Sequence, residues 1–214
     1  MSATWGWGSL ALLGAYHGLN PAMGWLFAVA LGMQERSGRA VLAALPPIAL
    51  GHALSIALTV AVLALGYAAL PPLWLARSVA GLLIGFGVWK LVRPRHPRWV
   101  GMRVGFGDLT AWSFLMATAH GAGLMLLPVF LLGSAAIPAH QHGHALAEAA
   151  PWLTSAPLWA AAVGVHTLTM LAVSATIALL VYYKVGLAAL RRAWLDLDRV
   201  WAVAIIASGT VMLL

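Results

Sequence analysis

Apolar residues in this chain come in long runs rather than in alternating or heptad patterns. Six of the runs approach the roughly 20 residues that a helix rising about 1.5 Å per residue needs to cross about 30 Å of hydrocarbon. They predict helices over Trp5–Met33, Ala40–Leu65, Trp74–Val92, Leu109–Gly133, Pro157–Lys184 and Val200–Leu214. The last of these is short and needs its neighbours, a thinned bilayer or part of the preceding polar turn to span. Gly and Pro recur inside the runs, as membrane helices tolerate, because close neighbours re-satisfy the backbone. Composition points the same way: 63% of the 214 residues are hydrophobic and only 8% charged, against about a quarter charged in a soluble domain. The expectation is an all-α membrane protein with a single transmembrane domain over 1–214. Its one long polar-leaning segment is the loop Ser134–Ala156.

Charge sets the expected orientation. Arg36 and Arg39 lie in the first connection, and Lys90, Arg93, Arg95, Arg98 and Arg103 lie in the third. Lys184, Arg191, Arg192 and Arg199 lie in the fifth, leaving Arg77 as the one cation for the other side. By the positive-inside rule the odd connections face the cytoplasm and both termini lie outside. The net charge of +7 is then a property of solvated cytoplasmic loops, with anionic membrane lipid as their partner and no role for nucleic acid. Met1–Trp7 lacks the basic start of a cleaved signal, so the first helix is expected to remain as an anchor. The chain has no cysteine, which rules out a disulfide, a thiolate metal site and a cysteine nucleophile.

A short pattern recurs. The first predicted helix contains Ala15-Tyr16-His17-Gly18 and the second Gly51-His52-Ala53-Leu54-Ser55. The fourth contains Thr118-Ala119-His120-Gly121 and the fifth Val165-His166-Thr167-Leu168-Thr169. A His-Gly helix followed by a His-x-Leu-Ser/Thr helix thus appears once in each half, over about 5–92 and about 109–214. Three helices separate the copies, and an odd number inverts the second relative to the first. That is the inverted-topology repeat of secondary transporters, whose substrate site lies near the midplane between the repeats.

Imidazoles at such depth are costly to bury and mark an ion or proton path. Neutral imidazole suits Ni, Co, Zn or Cu, and four imidazoles satisfy a tetrahedral transition-metal ion. His17, His52, His120 and His166 are therefore the candidate metal site. Asn20 and Met23, one turn and more beyond His17, are candidate accessory groups, and Pro21 between them frees backbone carbonyls. Ser55 and Thr169 stand three residues after their histidines and are placed to fix the imidazole tautomers. Glu35 and Asp108 fall at the cytoplasmic edge, where Asp108 reads equally as a helix N-cap. In the outer loop, His140-Gln141-His142-Gly143-His144 followed by Glu148 has the composition of a metal-collecting tract.

The stretch His17-Gly18-Leu19-Asn20-Pro21-Ala22-Met23, followed by Gly51-His52-Ala53-Leu54-Ser55, resembles the nickel/cobalt exporter family of the LysE superfamily. Asn20 stands where an acidic residue is frequent in that family, and Met23 where a second motif histidine is expected. The resemblance implies six helices, a histidine-bearing polar loop and export of a divalent transition-metal cation, with His17 and His52 at matching positions. It places the chain as a multi-pass protein of a bacterial-type inner (plasma) membrane.

The function expected is thus a metal exporter, with protons as coupling ion because a protonated imidazole cannot coordinate. A homo-oligomer is compatible with it. Two alternatives are a membrane electron-transfer subunit with haem held by histidine pairs, and a LysE-type exporter of a small organic solute. No enzyme is expected: the predicted helices carry neither HxxxH boxes nor an acid/base carboxylate at depth.

Overall fold

The computed structural model describes residues 3–92, 105–126, 155–185 and 197–213, and all regular structure among them is helical. The helices are α1 (Ala3–Leu19), α2 (Trp25–Gln34), α3 (Gly38–Ala69), α4 (Pro72–Val92), α5 (Phe106–His120), α6 (Ala156–Leu180) and α7 (Leu197–Val211). Three stretches, Gly38–Gly66, Leu73–Val92 and Ala156–Lys184, are long and apolar enough to cross a membrane. Leu12, Leu58, Val62, Leu82 and Leu168 are each more than half exposed. So much outward-facing apolar surface is a liability in water and costs nothing against acyl chains, as a membrane protein requires.

Two of the expected continuous helices are broken, for local reasons. The run Trp5–Met33 divides because Pro21 has no N–H to continue the ladder. Asn20 turns extended and its side-chain oxygen accepts the Ala22 N–H at 3.0 Å, starting a short 3-10 turn over Pro21–Met23. Gly24 then takes φ +114°, a left-handed conformation that favours glycine, before α2 resumes. The Trp25 indole N–H donates to the Leu19 carbonyl at 3.2 Å and bridges the gap. The run Leu109–Gly133 breaks at Gly121, with φ +69°, and is helical again over 122–126. Each break thus follows a His-Gly pair. At the start of α5, Asp108 accepts the Gly105 N–H at 2.9 Å from the third helical position, so it reaches back to the N-cap backbone rather than being the cap itself.

Helix α1 packs on α6, α3 on α5 and on α6, and α4 on α7, while α2 lies against α3 and α6. Small residues set the closest approaches. Gly14 and Gly18, one turn apart, bring the α1 backbone against the His166 and Met170 carbonyls of α6, and Gly51 brings α3 against the Thr110 carbonyl of α5. The α4–α7 contact is reciprocal. A Cβ on Gly87 would meet the Ala202 carbonyl oxygen at 3.0 Å and the Ile206 side chain, and one on Gly209 would meet the Ala80 carbonyl oxygen and the Ile84 side chain, each at 2.9 Å. Ala80, Ile84 and Gly87 correspond to Ala202, Ile206 and Gly209 at one constant spacing, so exchanging the two antiparallel helices maps the contact onto itself.

Two apolar clusters bracket the middle of the bundle. One gathers Trp25, Val41, Leu45, Ile48, Leu109 and Ala178. The other gathers Leu10, Ile56, Val60, Ala117, Leu126 and Ala162. His52 lies one helical turn from Ile48 on one side and Ile56 on the other, and His166 one turn beyond Ala162, so the polar centre sits between the two clusters.

Candidate metal centre

Three of the four expected imidazoles converge. His17 of α1, His52 of α3 and His166 of α6 each offer a ring nitrogen, and the three nitrogens lie within 4.8 Å of one another. The ring of His17 is centred 5.2 Å from that of His52 and 4.9 Å from that of His166, edge-on to both. His52 and His166 lie nearly parallel, 7° between planes, with their Nε2 atoms 3.3 Å apart. Metal–nitrogen bonds of about 2.0–2.1 Å in a tetrahedron put ligand nitrogens about 3.3–3.4 Å from each other. The His52–His166 pair already has that separation, and His17 needs to close by an ångström or so.

His17, His52, His120 and His166 are 2, 1, 2 and 0% exposed, so all four face the bundle interior rather than lipid. His120 is not one of the converging group.

Main-chain carbonyls aim these rings. His17 Nδ1 bonds the Leu13 carbonyl at 2.9 Å, His120 Nδ1 the Met116 carbonyl at 2.8 Å, and His166 Nδ1 the Leu10 carbonyl across the α1–α6 contact at 3.2 Å. A carbonyl only accepts, so in the neutral imidazole the proton sits on Nδ1 and Nε2 carries the lone pair. His52 differs. Because His166 Nε2 is a lone pair, His52 Nε2 must donate to it, and His52 Nδ1 has no hydrogen-bond partner among the described residues. For both Nε2 atoms to face one ion, His52 must move its proton from Nε2 to Nδ1.

The expected accessory residues are engaged elsewhere. Ser55 shares a 2.8 Å hydrogen bond with Thr118, and Thr169 donates to the Val165 carbonyl, so neither hydroxyl is seen fixing an imidazole. Asn20 caps the 3-10 turn, and Met23 is buried beside it. Sequence reasoning missed the carbonyl bonds, which depend on rotamer and helix contact. It also passed over Gly14-x-x-x-Gly18, a close-packing spacing visible in the chain that seats His17 against α6. His140, His142 and His144 of the outer loop lie outside the described residues.

The three buried imidazoles could hold a metal ion, and imidazole nitrogen is a ligand suited to borderline transition metals. No protein-family model, curated protein or solved structure matches the chain.

Proposed function

We propose that this chain is a secondary transporter, working as an exporter, of a divalent transition-metal cation that passes through His17, His52 and His166. The observation that carries the proposal is the buried three-imidazole cluster, whose ring nitrogens converge while main-chain carbonyls orient two of the rings through Nδ1. A packing histidine needs no such convergence.

Six spans arranged as two inverted repeats fit this function. Three features support the arrangement: the reciprocal α4–α7 contact, the helix breaks after each His-Gly pair, and the pairing of α1 with α6 alongside α3 with α5. Broken helices near the midplane are where transporters of this kind bind their cargo. The nickel/cobalt exporter family remains the resemblance that suggests the direction of transport. Because an imidazole that has taken up a proton to become imidazolium cannot coordinate, protons are the natural counter-ion.

Cobalt(II) tests the site. Full-length protein, purified without chelator, should show the visible absorption of tetrahedral Co²⁺ on titration, saturating at one ion per chain. Absence of a saturable band would remove the metal reading. A Soret band in the protein as isolated would instead establish haem, though the His17 ring so close to both others occupies the space a macrocycle between His52 and His166 requires. Topology is tested in intact cells, since the chain has no cysteine of its own. Ser37→Cys and Gly101→Cys should be shielded from impermeant thiol reagents and Ala145→Cys should react, with the opposite labelling reversing the assigned orientation.

A further inference from the structure

We propose, resting on the metal-transport reading, that His17 and His120 are alternating ligands: His52 and His166 hold the ion throughout, His17 completes the site in one state of the bundle, and His120 replaces it in the other.

The exchange that maps Ala80, Ile84 and Gly87 onto Ala202, Ile206 and Gly209 also carries His52 onto His166 and His17 onto His120. The parallel His52–His166 pair, touching through the same nitrogen of each ring, is what two residues on either side of a pseudo-two-fold axis look like. They stay at the interface of the halves whichever way the bundle faces.

His17 and His120 are equivalents too. Each bonds through Nδ1 to the carbonyl four residues back, at 2.9 and 2.8 Å. Each is buried and a left-handed glycine follows each along the chain, Gly121 directly after His120 at φ +69° and Gly24 seven residues after His17 at φ +114°. The structure treats them unequally all the same. His17 stands within the triangle and His120 outside it. A chain with two equivalent halves in unequal conformations has a second state of comparable energy in which the halves trade conformations, and that trade brings His120 to the shared pair and withdraws His17. The breaks supply the hinges, because backbone at positive φ on glycine turns at little cost. Swapping a single ligand while two remain moves the ion from one access route to the other without releasing it.

A double-mutant comparison of Co²⁺ binding to the full-length protein separates alternation from a fixed site. His17→Ala should keep Co²⁺ affinity within roughly 10-fold of wild type, because His120 substitutes, and His17→Ala/His120→Ala together should lose roughly 100-fold or more. His120→Ala alone should bind Co²⁺ as wild type does, yet slow Co²⁺ exchange across proteoliposomes by about 10-fold or more. If His17→Ala already binds as weakly as the double variant, or His120→Ala transports at the wild-type rate, alternation is overturned while the metal site stands. If wild type gives no Co²⁺ band, both fall. Should an alanine variant fail to accumulate, glutamine is used at the same position, its amide N–H keeping a donor for the Leu13 or Met116 carbonyl.

Discussion

His52→Ala and His166→Ala should each abolish metal binding. Both rings face the same point, and in neither state of the bundle does another described imidazole stand in for them. Losing a first ligand from a three-nitrogen site costs more than the roughly 10- to 100-fold seen when only an outer partner is removed. A histidine that merely packs contributes on the order of 1 kcal/mol and would leave affinity intact. Thermal stability reads the difference. Co²⁺ at about 100 times its dissociation constant should stabilise wild type by about 2.7 kcal/mol and these variants not at all. The direction with pH is fixed by the ligand chemistry: coordination requires deprotonated imidazole, so wild-type stabilisation by Co²⁺ should fade on acidification and return on neutralisation. A variant at His52 or His166 that still rises in melting temperature with Co²⁺ would show that the ring is structural.

How much of this was legible beforehand follows from which forces decide each feature. Helix class and approximate position came from hydropathy, a sum over many residues, and all six predicted runs begin within three residues of a helix start, as in Trp74–Val92 against Pro72–Val92. Pro21 was expected to kink its helix and free backbone carbonyls, but the full break at Asn20–Gly24 and the one at Gly121 were not predicted. In a membrane run such residues are as often absorbed, as α3 absorbs Pro46 and Pro47 without a break, and only the packing around them decides. Three of the four midplane histidines gathered as expected, because burying an imidazole at depth demands a polar partner. Ser55 and Thr169 were placed on the right helix face, but backbone carbonyls hold the rings, and a carbonyl's availability depends on rotamer and on the neighbouring helix. His120 could not have been set apart from His17 on sequence grounds. Both follow the same local pattern, and only the packing of the surrounding helices sets His17 in the converging group and His120 outside it.

Gly14→Ala should destabilise the fold markedly, and with it the site. A Cβ there would run into the main-chain carbonyl of His166, and neither that oxygen nor its Cα can rotate away as a flexible side chain would. The two helices must separate. The His166 ring is anchored across the same contact to the Leu10 carbonyl at 3.2 Å, so separation stretches that bond and carries His17 away from His166. Overpacking of this kind costs about 1–3 kcal/mol, and the metal affinity should fall alongside the melting temperature. Gly164→Ala is the matched control. It lies on α6 two residues before His166, where an added Cβ meets nothing within 4 Å, and alanine there should hold or slightly raise stability because it favours the helix by up to about 1 kcal/mol over glycine. Both variants are measured by thermal unfolding in detergent and by Co²⁺ titration. If Gly14→Ala matches Gly164→Ala in both, the α1–α6 approach does not position His17, and the convergence of the three imidazoles must have another cause.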